Sequence, residues 1–378
     1  MATLALRGVR KEYGKTVALA GLDLEVADGE FFVLLGPSGA GKTTTLKCVA
    51  GLETPTAGRV EIGGRDVTEV EPNARRVAMA FENYALYPQE TVYDNIAFPL
   101  RSKRYAQPPD VARALITQVA GTLGIGHLLE RMPRELSGGQ RQRVALARVM
   151  VRPADVLLLD EPLSHLDAKL RATMRAELKS LGELQHTTSL YVTHDYLEAL
   201  ALGDRIAILR DGKLVQVGSR EELWRTPVNT FVATAFGQPR INLLRGVIAR
   251  ENDDTLFATE DGVVRLSLGR RDLAPGTAVE LGLRPRDLLL GEMPGMATLR
   301  GQVYVVEPLG RQREVTVQIG GQRVALVTPQ EDVVPDSLVT ISAPPDRLLL
   351  FNAETGARMS AVGDDVPGDA TAGIAAHG

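Results

Sequence analysis

The segment "GPSGAGKT", Gly36–Thr43, constrains the fold of this chain more than any other stretch. It fits the pattern G-x-x-x-x-G-K-[ST], follows a short apolar run at Phe31–Leu35 and leads into a helical pattern over Thr43–Val49. Strand, glycine-rich loop and helix in that order form a phosphate cradle. The glycines let consecutive backbone N–H groups turn inward around phosphate oxygens, and the helix points its positive end at the anion. Within the loop, Lys42 supplies a point charge for β- and γ-phosphates and Thr43 a hydroxyl for Mg2+.

Other apolar runs read as strands: Leu4–Val9, Arg59–Ile62, Val77–Phe81, Val156–Leu159, Ser189–Thr193 and Arg205–Arg210. Helical stretches such as Leu170–Leu184 lie between several of them. Short buried strands alternating with helices predict an α/β sheet, largely parallel. From about Pro88 to Pro153 the pattern is helix-rich, clearest at Val111–Leu123 and Gly139–Val151, and reads as a helical insertion.

After about Phe236 short β-type runs alternate with Gly, Pro and Asp turns, at Leu244–Ala249, Val263–Leu268, Ala278–Leu283, Val303–Val306, Glu314–Ile319, Val324–Val327 and Leu338–Ser342. "LRGVI" at Leu244 returns as "LRGQV" at Leu299, and "VELGLRPRDLLL" at Val279 returns as "VTISAPPDRLLL" at Val339. An offset of about 55–60 residues predicts two similar small β units. The tail from about Met359 to Gly378 is rich in Gly, Ala and Asp and is expected to be disordered.

Two further motifs carry chemistry. "VLLLDEP", Val156–Pro162, is an apolar strand ending in two acids. Asp160 can hold Mg2+ through water, and Glu161 can orient, or take a proton from, an attacking water. "LSGGQRQR", Leu136–Arg143, opens a basic helix with Ser137 as a good N-cap, which makes its start another anion site.

A phosphate loop, then LSGGQ, then a strand ending in DE resembles the ATP-binding cassette (ABC) family over roughly Leu4–Gly237. The resemblance implies the P-loop NTPase fold of the cassette with its helical subdomain at about 88–153. It implies that Gly36, Pro37, Ser38, Gly39, Ala40, Gly41, Lys42, Thr43 and Thr44 hold ATP with Mg2+, with Tyr13 of "KEYG" stacked on adenine. His194 of "YVTHD" then contacts γ-phosphate, and "SHLD", Ser164–Asp167, is the loop that crosses between two subunits. Two such cassettes close head to tail, each ATP lying between one phosphate loop and the partner's Ser137, Gly138, Gly139 and Gln140, with Asp167 at the same junction. A second ATPase subunit, identical or not, is therefore an implied partner.

"NYALYPQETVYDNIAFPL", Asn83–Leu100, and the trailing β domain narrow the resemblance to ATPase subunits of bacterial maltose and glycerol-phosphate importers. There a β domain of the oligonucleotide-binding (OB, TOBE/MOP-like) type, residues 238–358 here, serves dimerisation and regulation. Two transmembrane permease subunits, and indirectly an extracytoplasmic solute-binding protein, are the further partners implied. Polyamine, metal and oxyanion importers carry similar β domains and remain alternatives. Two positions depart from the pattern. Glu82 of "MAFENYALYP" stands where the family has a glutamine that contacts Mg2+ and the attacking water, and His165 stands where asparagine is more usual. A carboxylate at Glu82 is a harder, charged ligand and predicts a slower or differently gated site, or one half of a heterodimeric pair.

Composition fits this reading. The net charge of -4 and the few aromatics of the acid-rich β domain argue against nucleic acid as a partner. A single cysteine, Cys48, forms no intrachain disulfide and fits a reducing cytoplasm. No apolar run nears the roughly 18 residues of a membrane helix, and the N-terminus has no secretory h-region. The expectation is a peripheral subunit on the cytoplasmic face of the membrane.

Overall fold

The computed structural model describes residues 2–164, 166–185, 187–269 and 272–359. His165 and the predicted disordered tail beyond Met359 lie outside the described residues. The chain divides into two compact units, Met1–Leu223 and Trp224–Gly378.

The first unit is built on a six-stranded sheet in the order Lys213–Gly218, Arg205–Arg210, Phe31–Leu35, Thr188–Thr193, Val156–Asp160, Val77–Ala80. All neighbours are parallel except the first pair. The register brings the strand ends to one edge: Leu35 lies opposite Thr193, Val192 opposite Asp160, and Leu159 opposite Ala80. The residues that follow, Gly36, His194, Glu161 and Glu82, therefore emerge together at the carboxyl edge, where open α/β sheets bind ligands.

Leu4–Val9 and Arg59–Ile62, read from the sequence as strands without a stated partner, do not join the parallel sheet. Leu4–Tyr13 and Ala57–Ile62 belong to a separate antiparallel sheet, ordered Thr16–Val26, Leu4–Tyr13, Ala57–Ile62, Arg65–Asp66. The reason is local. Gly14, at φ 59°, closes a tight turn between Tyr13 and Thr16, so the first strand folds back on its own successor. Helix Lys42–Ala50 packs between the two sheets, burying Leu46 and Val49 against Leu6, Leu22, Phe32 and Leu190. Each such side chain contributes roughly 1.5–3 kcal/mol by leaving water. Cys48 is part of this core, and burial raises its thiol from 9.0 to about 11, as suits an inert packed residue.

The helix-rich stretch folds as Val92–Ala97, Pro109–Thr122 and Gly138–Met150. Pro109–Thr122 buries Ile116, Val119 and Ala120, one face at helical spacing. The loop after Glu82 is anchored to these helices. Fully buried Asn95 donates to the carbonyls of Tyr87, Glu90 and Thr91 and accepts from Tyr87 N, while Arg148 donates to Tyr84 O and Ala85 O.

The second unit contains two five-stranded antiparallel sheets, and the sequence echo is visible in their topology. One is ordered Arg265–Ser267, Asp254–Ala258, Asn242–Glu251, Ala278–Leu283, Leu349–Asn352. The other is ordered Gln322–Thr328, Gln312–Ile319, Ala297–Leu309, Leu338–Ala343, Leu289–Leu290. In the first sheet Leu244 and Gly246 face Leu281 and Val279; in the second Leu299 and Gly301 face Ile341 and Val339. The two glycines stand at equivalent crowded points. A Cβ on either would lie 2.4 Å from a neighbouring carbonyl, Ala258 O or Gln318 O. The fifth strands are exchanged: Leu289–Leu290 follows Ala278–Leu283 in sequence but pairs with Leu338–Ala343, and Leu349–Asn352 pairs back with Ala278–Leu283. Both repeats thus share one core, including Leu281, Leu283, Leu299, Val317 and Ile341.

Candidate functional site

The carboxyl edge of the parallel sheet carries the predicted phosphate loop. Gly36 N donates to Thr193 O at 3.3 Å, and Ala40 N donates to Pro37 O at 3.2 Å. Gly41 has φ 104° and caps helix Lys42–Ala50; a Cβ there would lie 2.6 Å from Ala18 O, so only glycine fits the turn. Lys42 is 5% exposed and folds back over the loop, donating to Gly36 O at 2.9 Å and Pro37 O at 3.1 Å.

Two of the predicted side chains meet Lys42 or Thr43 directly, and a third, His194, joins through Glu161. Glu161 Oε1 lies 3.3 Å from Lys42 Nζ, and Glu161 Oε2 lies 2.7 Å from His194 Nδ1. Thr43 Oγ1 donates to Asp160 Oδ1 at 3.0 Å. Glu161 sits at φ 44°, a left-handed conformation that costs a non-glycine residue roughly 1–2 kcal/mol. It is held there by Glu161 N donating to Val192 O and by Ser164, whose N–H and hydroxyl both donate to Glu161 O. That strain aims the carboxylate of Glu161 at Lys42 and His194 rather than along the strand.

Asp160 is 3% exposed, and burial raises its carboxyl from 3.8 to about 6 against the Thr43 hydrogen bond. The charges of Glu82 and Glu161 push the same way. Glu82 itself is exposed, beyond the end of strand Val77–Ala80. A folded-state carboxyl that holds its proton more tightly than the unfolded one loses stability as pH rises from about 4 to about 6, on the order of 3 kcal/mol in all. Asp160→Asn removes this cost. In EDTA the variant is expected to melt above wild type at pH 8 and close to it at pH 4.5. Equal melting temperatures at both values would contradict it.

The residues fit a magnesium ion bound jointly with phosphates. Asp160 and Thr43 offer hard oxygens beside a surplus of carboxylates, yet among the described residues no group of three or more His, Cys, Asp or Glu could hold a metal alone. A Mg2+ held by one or two protein oxygens completes its shell with substrate oxygens and water.

Tyr13 ends the first strand 42% exposed, with Lys11 Nζ 5.0 Å from its ring centre. Lys11 is fixed by Glu53 at 2.9 Å and Thr54 O at 2.8 Å, and Tyr13 also interacts with Thr44 of the following helix. Burial first, then Glu53, raises the Tyr13 phenol.

The structure does not bring Ser137–Gln140 to the phosphate loop. Ser137 Oγ accepts from Gln140 N at 3.3 Å and Gln140 Oε1 from Ser137 N at 2.8 Å, a capping box that starts helix Gly138–Met150. That helix packs on the turn after Glu161: Gln142 Nε2 donates to Pro162 O, and a Cβ on Gly139 would lie 2.9 Å from Leu166 Cδ2. Exposed Asp167 Oδ1 accepts from Leu170 N at the start of helix Ala168–Gln185.

Sequence reasoning missed the residues behind these loops. Arg171 joins Asp195 and Glu198, which follow His194 in the chain, and Gln142 ties Gly138–Met150 to Pro162. The one signal available was the acidic pair in "HDYLEA" beside the histidine.

A phosphate loop, a strand ending in paired acids and a following histidine, joined in one contact chain at the edge of a parallel sheet, define a P-loop nucleotide hydrolase. Residues 19–164 match the ABC transporter family, and residues 281–351 match the TOBE domain. The trehalose/maltose import ATP-binding protein of Thermococcus litoralis is 46% identical over 85% of this chain and 89% of its own length. An sn-glycerol-3-phosphate import ATP-binding protein of Rhizobium etli is 44% identical over 95% and 99%. The solved dimeric structure of a bacterial ABC transporter cassette superposes with TM-score 0.54 at 29% identity, over 57% of this chain and 98% of that one. The chain belongs to the ABC transporter ATP-binding family, whose members are ATPases, and it carries a TOBE β domain after the cassette.

Proposed function

We propose that this chain is the ATPase of a sugar or sugar-phosphate importer. It binds ATP with Mg2+ at Gly36–Thr44 and hydrolyses it with Glu161 as base. The observation that carries the reading is the Lys42–Glu161–His194 contact chain beside the Thr43–Asp160 pair. Thr43 and Asp160, with Glu82, would hold the Mg2+, which neutralises charge on the phosphates. Lys42 is placed to exchange Glu161 for β- and γ-phosphate oxygens. Glu161 then accepts the proton of the attacking water, while His194 bonds γ-phosphate; the products are ADP and phosphate. Tyr13 stacks on adenine.

In this reading Ser137, Gly138, Gly139, Gln140 and Asp167 act on the nucleotide of a second subunit, which accounts for their turning away from their own loop. The TOBE domain serves dimerisation and regulation. In the same reading the chain is a peripheral subunit on the cytoplasmic face, bound to two permease subunits served by an extracytoplasmic solute-binding protein; no described helix is long and apolar enough to cross a membrane. A groove of about 640 Å³ supports permease docking. Met79, Phe81, Tyr87, Phe98 and Tyr105 line it, with Arg148 and Arg152 over its tyrosines. It adjoins the loop after Glu82.

The solute class comes from the relatives, which act on trehalose and maltose, glycerol phosphate and sulfoquinovosyl glycerol by their names. Deleting this chain from its host is expected to abolish uptake of one sugar or sugar phosphate and to spare polyamine, metal and oxyanion uptake; the opposite pattern would overturn the assignment. Glu82 tunes the same site by placing an added charge near Asp160. Glu82→Gln is expected to raise turnover and alter its Mg2+ dependence. Unchanged values of both would remove Glu82 from the account.

A further inference from the structure

We propose that Arg171 is a positioning residue for hydrolysis, locking the His194 loop and the segment carrying Ser164 and Leu166 into one piece. The inference rests on the catalytic reading of Glu161 and His194 given above.

Arg171 lies in the first turn of helix Ala168–Gln185, and its guanidinium reaches both loops. On one side Nη2 donates to Leu166 O at 3.0 Å and Ser164 O at 3.5 Å. On the other, Nη1 donates to Asp195 Oδ2 at 3.3 Å, and Nε lies 3.8 Å from Glu198 Oε1. These carboxylates flank the histidine. Asp195 follows His194 and accepts from Leu197 N at 2.8 Å. Glu198 is 2% exposed and accepts from Tyr191 at 2.8 Å and from Thr193, the residue before His194, at 2.7 Å.

A buried carboxylate is costly to charge without a cation, and burial does raise Glu198. Arg171 is the cation beside it, so the pair fixes strand end Thr188–Thr193 against the helix. Meanwhile Ser164, bonded to Glu161 O, ties the other loop to the strained glutamate. The 2.7 Å contact between His194 and Glu161 thus joins two loops that Arg171 holds in register from behind. Among the described residues Arg171 has no hydrogen bond to Gly36–Thr43, so its loss moves the chemistry rather than nucleotide capture. A planar fork is needed, since an ammonium reaches one side but cannot bridge two carbonyls and two acids.

The test is kcat and KM for ATP of the full chain with Mg2+, for wild type, Arg171→Ala, Arg171→Lys, His194→Ala and the double variant Arg171→Ala/His194→Ala. Arg171→Ala is expected to lower kcat roughly 10- to 100-fold with KM nearly unchanged, a displacement effect. Arg171→Lys recovers part of it. The double variant is expected to match His194→Ala within about twofold, because Arg171 acts through the histidine. Losses that multiply, wild-type kcat in Arg171→Ala while His194→Ala is inactive, or a rise in KM alone would overturn the inference and leave the catalytic reading standing. Full turnover in His194→Ala would overturn both. Should the alanine variant fail to fold, Arg171→Lys, which keeps a cation by Glu198, decides the matter: reduced kcat at constant KM supports the proposal, and wild-type kcat overturns it.

Discussion

Replacing Glu161 by glutamine is expected to lower ATP turnover by about 10²- to 10⁴-fold, the range a positioned general base supplies. ATP binding should hold or tighten. The amide keeps the shape of the side chain but cannot accept the proton of water, and it no longer forms an ion pair with Lys42 at 3.3 Å. Lys42 is then freer to face phosphate. The comparison is steady-state phosphate release beside ATP affinity for the two proteins. Turnover within a few fold of wild type would move the base elsewhere, since no other carboxylate is joined to both Lys42 and His194 in the described structure.

Lys42→Ala attacks the same site from the side of binding. Its ammonium is 5% exposed and held over the loop by two carbonyls, so its charge acts through little water. Losing one partner of a buried, hydrogen-bonded charge pair costs roughly 2–5 kcal/mol, or roughly a 30- to several-thousand-fold rise in the ATP dissociation constant. Titration with a fluorescent ATP analogue reads this directly, and turnover should fall with it. Unchanged affinity would mean that the backbone of Gly36–Thr43 alone holds the phosphates.

What the sequence disclosed and what it withheld divide along physical lines. The phosphate loop, the strand ending at Asp160 and the capped helix at Ser137 are contiguous, and each carries its geometry in its own residues. An apolar alternation at Leu4–Val9 says strand but names no partner, so its pairing with Thr16–Val26 outside the parallel sheet is not legible in it. The repeated "LRG" and "LLL" segments announced two β units, yet the exchange of Leu289–Leu290 and Leu349–Asn352 depends on pairing between distant segments, which no local pattern encodes. The same holds in the site. Glu161, His194 and Lys42 were legible as types in order, whereas Arg171 against Glu198 and Gln142 against Pro162 are contacts between separate elements, set by packing. The strain at Glu161 is a backbone property that its acid pattern does not reveal.

On the function proposed above, each ATP is closed between the phosphate loop of one chain and Ser137–Gln140 of another. Exposed Ser38 and half-buried Gly138, where an added Cβ would meet no atom within 4 Å, are the positions to probe. With Cys48 replaced by alanine in a Glu161→Gln background, Ser38→Cys and Gly138→Cys are introduced on separate chains, mixed and treated with a short bifunctional thiol reagent. The account predicts a covalent dimer that requires both cysteines and Mg2+ with ATP. Bound ATP without any interchain link, or a link indifferent to nucleotide, would contradict it.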